Sequence, residues 1–103
     1  MSENWVKVAR TDEIPEGKVK VVTAMGKRIA LAHTADGFHA IQDICTHDNG
    51  PLGEGTVFGD EVECPRHGAR FNVKTGDAVT LPAVMPAKTY PVQVDGDHVF
   101  VQI

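Results

Sequence analysis

Cys45-Thr46-His47 and Cys64-Pro65-Arg66-His67 place the strongest constraint on what this chain can fold into. Each stretch carries one thiol and one imidazole at loop spacing. Two such loops meeting tip to tip would offer four ligands to one metal centre. Thiolates suit ferric iron bridged by sulfide, and neutral imidazole on a second iron raises the reduction potential relative to four thiolates. A structural zinc site uses the same donor types. Its common spacing is C-x2–4-C followed by H-x3–5-H, not cysteine and histidine interleaved within each loop. The chain has two cysteines, so a Cys45–Cys64 disulfide is a third possibility, which the paired histidines disfavour. Colour separates the metals: an iron–sulfur centre is red-brown and zinc is colourless.

At 103 residues the chain has enough length for one domain and too little for two. A domain of this size buries somewhat more than ~60% of its unfolded surface, so one modest core is feasible. The formal net charge is −4 with no run of basic residues, which argues against nucleic acid or an anionic membrane as partner. No apolar stretch approaches ~20 residues, and Met1-Ser2-Glu3-Asn4 does not open a signal peptide. A soluble, cytoplasmic monomer is expected.

Period-two alternation runs through Lys18-Val19-Lys20-Val21, Arg28-Ile29-Ala30-Leu31, Tyr90-Pro91-Val92-Gln93-Val94 and His98-Val99-Phe100-Val101-Gln102-Ile103. Turn signals separate the runs: Met25-Gly26, Asp36-Gly37, Gly59-Asp60, Thr75-Gly76 and Asp95-Gly96. No segment carries a helical period of useful length, and Glu13-Ile14-Pro15-Glu16 is at most one short turn. The pattern predicts an all-β fold of many short antiparallel strands. Residues 1–42 and 88–103 are strand-rich, whereas residues 43–86 are dense in Gly, Pro, Cys and His. The reading is a single domain over 1–103, with a small metal-binding subdomain at about 43–86 inserted into a β-sandwich-like base.

In its two boxes the chain resembles Rieske-type [2Fe–2S] ferredoxins. Sixteen residues separate His47 from Cys64, and Cys64-Pro65-Arg66-His67-Gly68 matches the family's second box. Phe71 and Thr75-Gly76 look like the family's continuation, so the resemblance spans most of the chain. It implies the Rieske fold and one [2Fe–2S] cluster, with Cys45 and Cys64 on an inner iron and His47 and His67 on an outer one. Gly50, Gly53 and Gly68 would let backbone approach inorganic sulfur. Leu52 and Pro65 would shield the cluster, and Leu81-Pro82-Ala83 matches the family's proline-containing covering loop.

The resemblance also separates kinds of Rieske protein. Membrane-bound relatives of the cytochrome complexes carry an extra cysteine in each box, joined as a disulfide, and an N-terminal anchor. The equivalent places here are Gly50 and Arg66. A catalytic oxygenase subunit adds a large domain holding mononuclear iron through two histidines and a carboxylate, for which this chain has no room. No glycine-rich nucleotide fingerprint of a reductase is present. The small subunit of assimilatory nitrite reductase shares the fold but typically lacks the ligands. What remains is an electron carrier and not an enzyme: a soluble ferredoxin passing one electron from a ferredoxin reductase to a terminal oxygenase. A redox-sensing module, or a carrier for a non-aromatic pathway, is the alternative. High-potential relatives have a serine and a tyrosine hydroxyl where this chain has Ala69 and Phe71, which implies a potential near the ~−150 mV end of the Rieske range.

The other histidines read as ordinary. His33 and His39 flank the Asp36-Gly37 turn and are expected to face solvent or a strand edge, and His98 is expected to be structural. Arg66 and Arg70 read as solvated surface, with steering of an acidic partner as the competing role. Trp5 should pack the base.

Overall fold

The computed structural model describes residues 5–43, 55–65, 68–79 and 86–103. Among these, the chain forms β1 (Trp5–Arg10), a 3-10 turn (Thr11–Glu13), β2 (Val19–Ala24), β3 (Lys27–Thr34), β4 (Gly37–Gln42), β5 (Thr56–Phe58), β6 (Glu61–Glu63), β7 (Arg70–Asn72), β8 (Thr89–Tyr90), β9 (Val92–Asp95) and β10 (His98–Gln102). The strands make three antiparallel sheets, ordered β1-β10-β9, β2-β3-β4-β8 and β5-β6-β7. The all-β expectation holds. No helix among the described residues is long and apolar enough to cross a membrane.

β3 explains how the layers stack. Ile29, Ala30, Leu31 and Ala32 are all buried, so this strand is covered on both faces. Ile29 and Leu31 pack with Val22, Ala24, Val99 and Val101 on the side of the first sheet. Ala30 and Ala32 point the other way, into a second core with Ile41, Val62, Cys64, Phe71 and Val73. Strand alternation thus sends one set of side chains to each core. Each fully buried Ile, Leu or Val contributes about 1.5–3 kcal/mol, so both cores hold weight.

The run Tyr90-Pro91-Val92-Gln93-Val94, expected as one strand, divides at Pro91. Thr89 and Tyr90 pair with Ile41 and Ala40, whereas Val92 onward pairs with β10 in the first sheet. Proline has no N–H to give a ladder, so the chain changes sheets where it stands.

Candidate metal centre

Cys64 sits at the base of the β6–β7 hairpin, just past the last strand pair, Glu63 with Arg70. Its N–H donates to the Ala69 carbonyl at 2.7 Å, and the Gly68 N–H donates back to the Cys64 carbonyl at 3.1 Å. These two bonds join the ends of the hairpin beyond its last strand pair. Gly68 takes a left-handed φ of 74°, which the turn needs and a side chain would resist. This closure follows from local sequence: Pro65 cannot extend the ladder, and Gly68 permits the reversal.

The Cys64 thiol is free and 1% exposed, packed among Val62, Ala69 and Phe71. A buried thiol at the end of β6, three residues before His67 in the sequence, fits a thiolate ligand to an inner iron. Pro65, assigned a shielding role, is exposed. Cys45, His47 and His67 lie outside the described residues, as do Gly50, Leu52, Gly53, Arg66 and the Leu81-Pro82-Ala83 loop.

The approach to the first box is described up to Asp43. Its side chain is fully buried, and one carboxylate oxygen accepts from Arg28 Nη2 at 2.9 Å and Nε at 3.1 Å. The Asp43 N–H donates to the Arg28 carbonyl at 3.2 Å, while the Gln42 N–H donates to the Lys88 carbonyl at 2.8 Å. The chain therefore leaves β4 toward Cys45, and comes back before β8, at one end of the central sheet. Sequence reasoning missed Arg28 and Asp43. The available signal was an acidic residue two places after the apolar Ala40-Ile41 pair and two residues before Cys45.

Two of the remaining histidines have partners for their side chains in the fold. His33 is half-buried: its Nδ1 donates to the Ile14 carbonyl at 2.7 Å and its ring stacks on Phe38 at 4.1 Å. His39 Nε2 lies 3.2 Å from Asp36 Oδ1. His98 is half-buried on β10, and Trp5 is half-buried on β1. Arg70 turns inward on its own sheet, 3.1 Å from Glu63, 3.7 Å from Glu61 and over the Phe58 ring. The steering role for Arg70 gains nothing from this geometry.

Lys74 joins two turns, pairing with Asp36 after β3 and lying 3.5 Å from Asp60 after β5. The Lys74 ammonium, then the Thr34 hydroxyl and His39, hold the Asp36 carboxyl well below the usual carboxylate range. Asp36 in turn raises the Lys74 ammonium. A cleft of about 330 Å³ beside Lys74 is lined by His39, Val73, Tyr90 and Val92 among others.

The sequence matches the Rieske [2Fe-2S] domain over residues 4–91. It is 39% identical over 103 residues to the ferredoxin component of the naphthalene 1,2-dioxygenase system of Pseudomonas aeruginosa, covering 100% of this chain and 99% of that one. The ferredoxin of carbazole 1,9a-dioxygenase from Nocardioides aromaticivorans superposes with a TM-score of 0.92 at 32% identity, covering 97% and 98% of the two chains. A complex of reduced oxygenase and oxidized ferredoxin in carbazole 1,9a-dioxygenase matches with a TM-score of 0.90 at 35% identity, covering 98% and 94%.

Proposed function

Because the chain belongs to the Rieske [2Fe-2S] domain family, we propose that it is the ferredoxin of a ring-hydroxylating oxygenase system. It takes one electron from a ferredoxin reductase and gives it to a terminal oxygenase. The observation that carries this reading is the match along the whole chain to ferredoxin components of such systems. The buried free thiol of Cys64 supports it, because that residue heads the second box.

When bound, the cluster supplies a one-electron couple. Cys45 and Cys64 would hold the inner iron, and His47 and His67 the outer one near the exposed edge. Cys64 does its part from inside a core, where Val62, Ala69 and Phe71 exclude water from the sulfur. Arg28 holds the Asp43 carboxylate and so fixes the point at which the chain leaves β4 for the first box. The cluster-bearing region runs from about residue 43 to 86 within a single domain. Docking at this end should be brief, with an interface below ~1,200 Å² as electron-transfer encounters have. We place the protein in the cytoplasm, with its reductase and oxygenase.

Turnover of a reconstituted mixture tests the reading. With reductase, this protein and a ring-hydroxylating oxygenase, product should form only when all three are present. Failure of every oxygenase tried to accept electrons from the reduced protein would remove the shuttle role.

A further inference from the structure

Met25 breaks a local rule in a place where the fold has no use for it. The β2–β3 hairpin closes with Ala24 opposite Lys27, so Met25-Gly26 is a two-residue loop. Both residues have positive φ, 52° at Met25 and 78° at Gly26, which is the turn type that suits strand twist. That turn asks for Asn or Asp ahead of the Gly, because a short polar side chain tolerates the left-handed region and an ordinary one is strained there. Met25 is the one residue other than glycine with positive φ among those described. It is also 75% exposed, more than the other large apolar residues that stand out from the described surface. The thioether thus gains no burial in return for its strain. Departures from local preference without a structural gain mark functional positions.

The position of the tip says what the function is. Arg28 binds Asp43 by side chain and backbone at the sheet end where the chain departs for Cys45. The two-residue loop lies about two strand steps past Arg28, so the tip projects roughly 6–7 Å past that end. The same end carries the entry to the first box and the return ahead of β8. Lys27 is exposed beside it and adds a positive charge next to the Arg28–Asp43 pair, on a chain of net charge −4. Methionine adapts its shape to a partner surface more readily than a branched side chain.

We propose that the Met25 hairpin tip is a docking contact for the terminal oxygenase, entering an apolar pocket with an acidic rim beside the electron-entry point. This rests on the functional reading above, and it names a contact that reading does not require. The oxygenase is the chosen occupant because a ferredoxin of this fold has a solved complex with one.

Met25→Asn is the decisive variant, because it relieves the turn and so cannot fail by misfolding. Steady-state reduction of the oxygenase by the reduced holoprotein should show KM raised about threefold or more, the loss of part of one buried apolar side chain. The reduction potential should not move, and the melting temperature should hold or rise. Met25→Leu should restore most of the affinity. An unchanged KM for Met25→Asn while the wild type serves the oxygenase overturns the inference alone. A loss seen only with the reductase, or a wild type that dimerises where Met25→Asn does not, overturns it as well. Wild-type protein that serves no oxygenase overturns the functional reading itself, and this contact with it.

Discussion

Ala69 and Phe71 are fully buried in the core that holds the Cys64 thiol, and neither has a hydroxyl to donate. A hydrogen bond to a charged acceptor is worth about 1.5–3 kcal/mol, and about 1.4 kcal/mol corresponds to ~59 mV for one electron. Only the difference between oxidised and reduced states counts. Ala69→Ser and Phe71→Tyr should therefore each raise the potential by several tens of millivolts, up to roughly 100 mV, in protein-film voltammetry. No upward shift in either variant would show that hydroxyls at these positions do not reach sulfur. At this scale the sequence was legible where chemistry needs rare residue types. Cys64 stood out because thiols are scarce and its spacing to His67 is distinctive. Asp43 did not, because a buried carboxylate looks like any other until its partner is known. That partner, Arg28, lies in a neighbouring strand, and no local pattern links the two. The bond of His33 was hidden for the same reason: the Ile14 carbonyl that it binds is distant in sequence.

Between strands, Gly76 has the most demanding geometry. Its φ is 83°, and a Cβ there would fall inside contact distance of the Ala87 carbonyl oxygen. Its N–H donates to the Asn72 carbonyl at 2.7 Å, and its carbonyl accepts from Ala87 N–H at 2.7 Å. This residue ties the turn after β7 to the segment that leads back to β8. Gly76→Ala should cost about 2–5 kcal/mol from left-handed strain plus overpacking. Urea unfolding of the holoprotein measures it, and a cost below ~1 kcal/mol would mean that the Ala87 segment yields. Thr75-Gly76 was visible in the sequence as a turn, but the close approach of Ala87 was not. Strand positions were legible wherever alternation met a turn signal, as at Val19–Ala24 and His98–Gln102. The split at Pro91 was less so, because Tyr90 and Val92 alternate correctly for either sheet. Hydrogen bonding decides which sheet each joins.

Across the whole molecule, the central four-stranded sheet separates two cores and delivers both chain crossings to one end. The β5-β6-β7 sheet is fastened to it by the shared core around Ala30, Ala32 and Phe71. Lys74 adds an outer tie between Asp36 and Asp60. This layering was only half legible: alternation marks strands, but the burial of Ile29–Ala32 on both faces shows only once three sheets are stacked. The proposed function requires one centre held by two cysteines and two histidines and exchanging one electron. Electron paramagnetic resonance of the reduced protein tests this most directly, on the wild type and on His47→Ala, His67→Ala, His39→Ala and His98→Ala. A Rieske signal is expected in the wild type, lost in His47→Ala and in His67→Ala, and retained in the other two. A His47→Ala protein that keeps the wild-type absorption and resonance signals would contradict it.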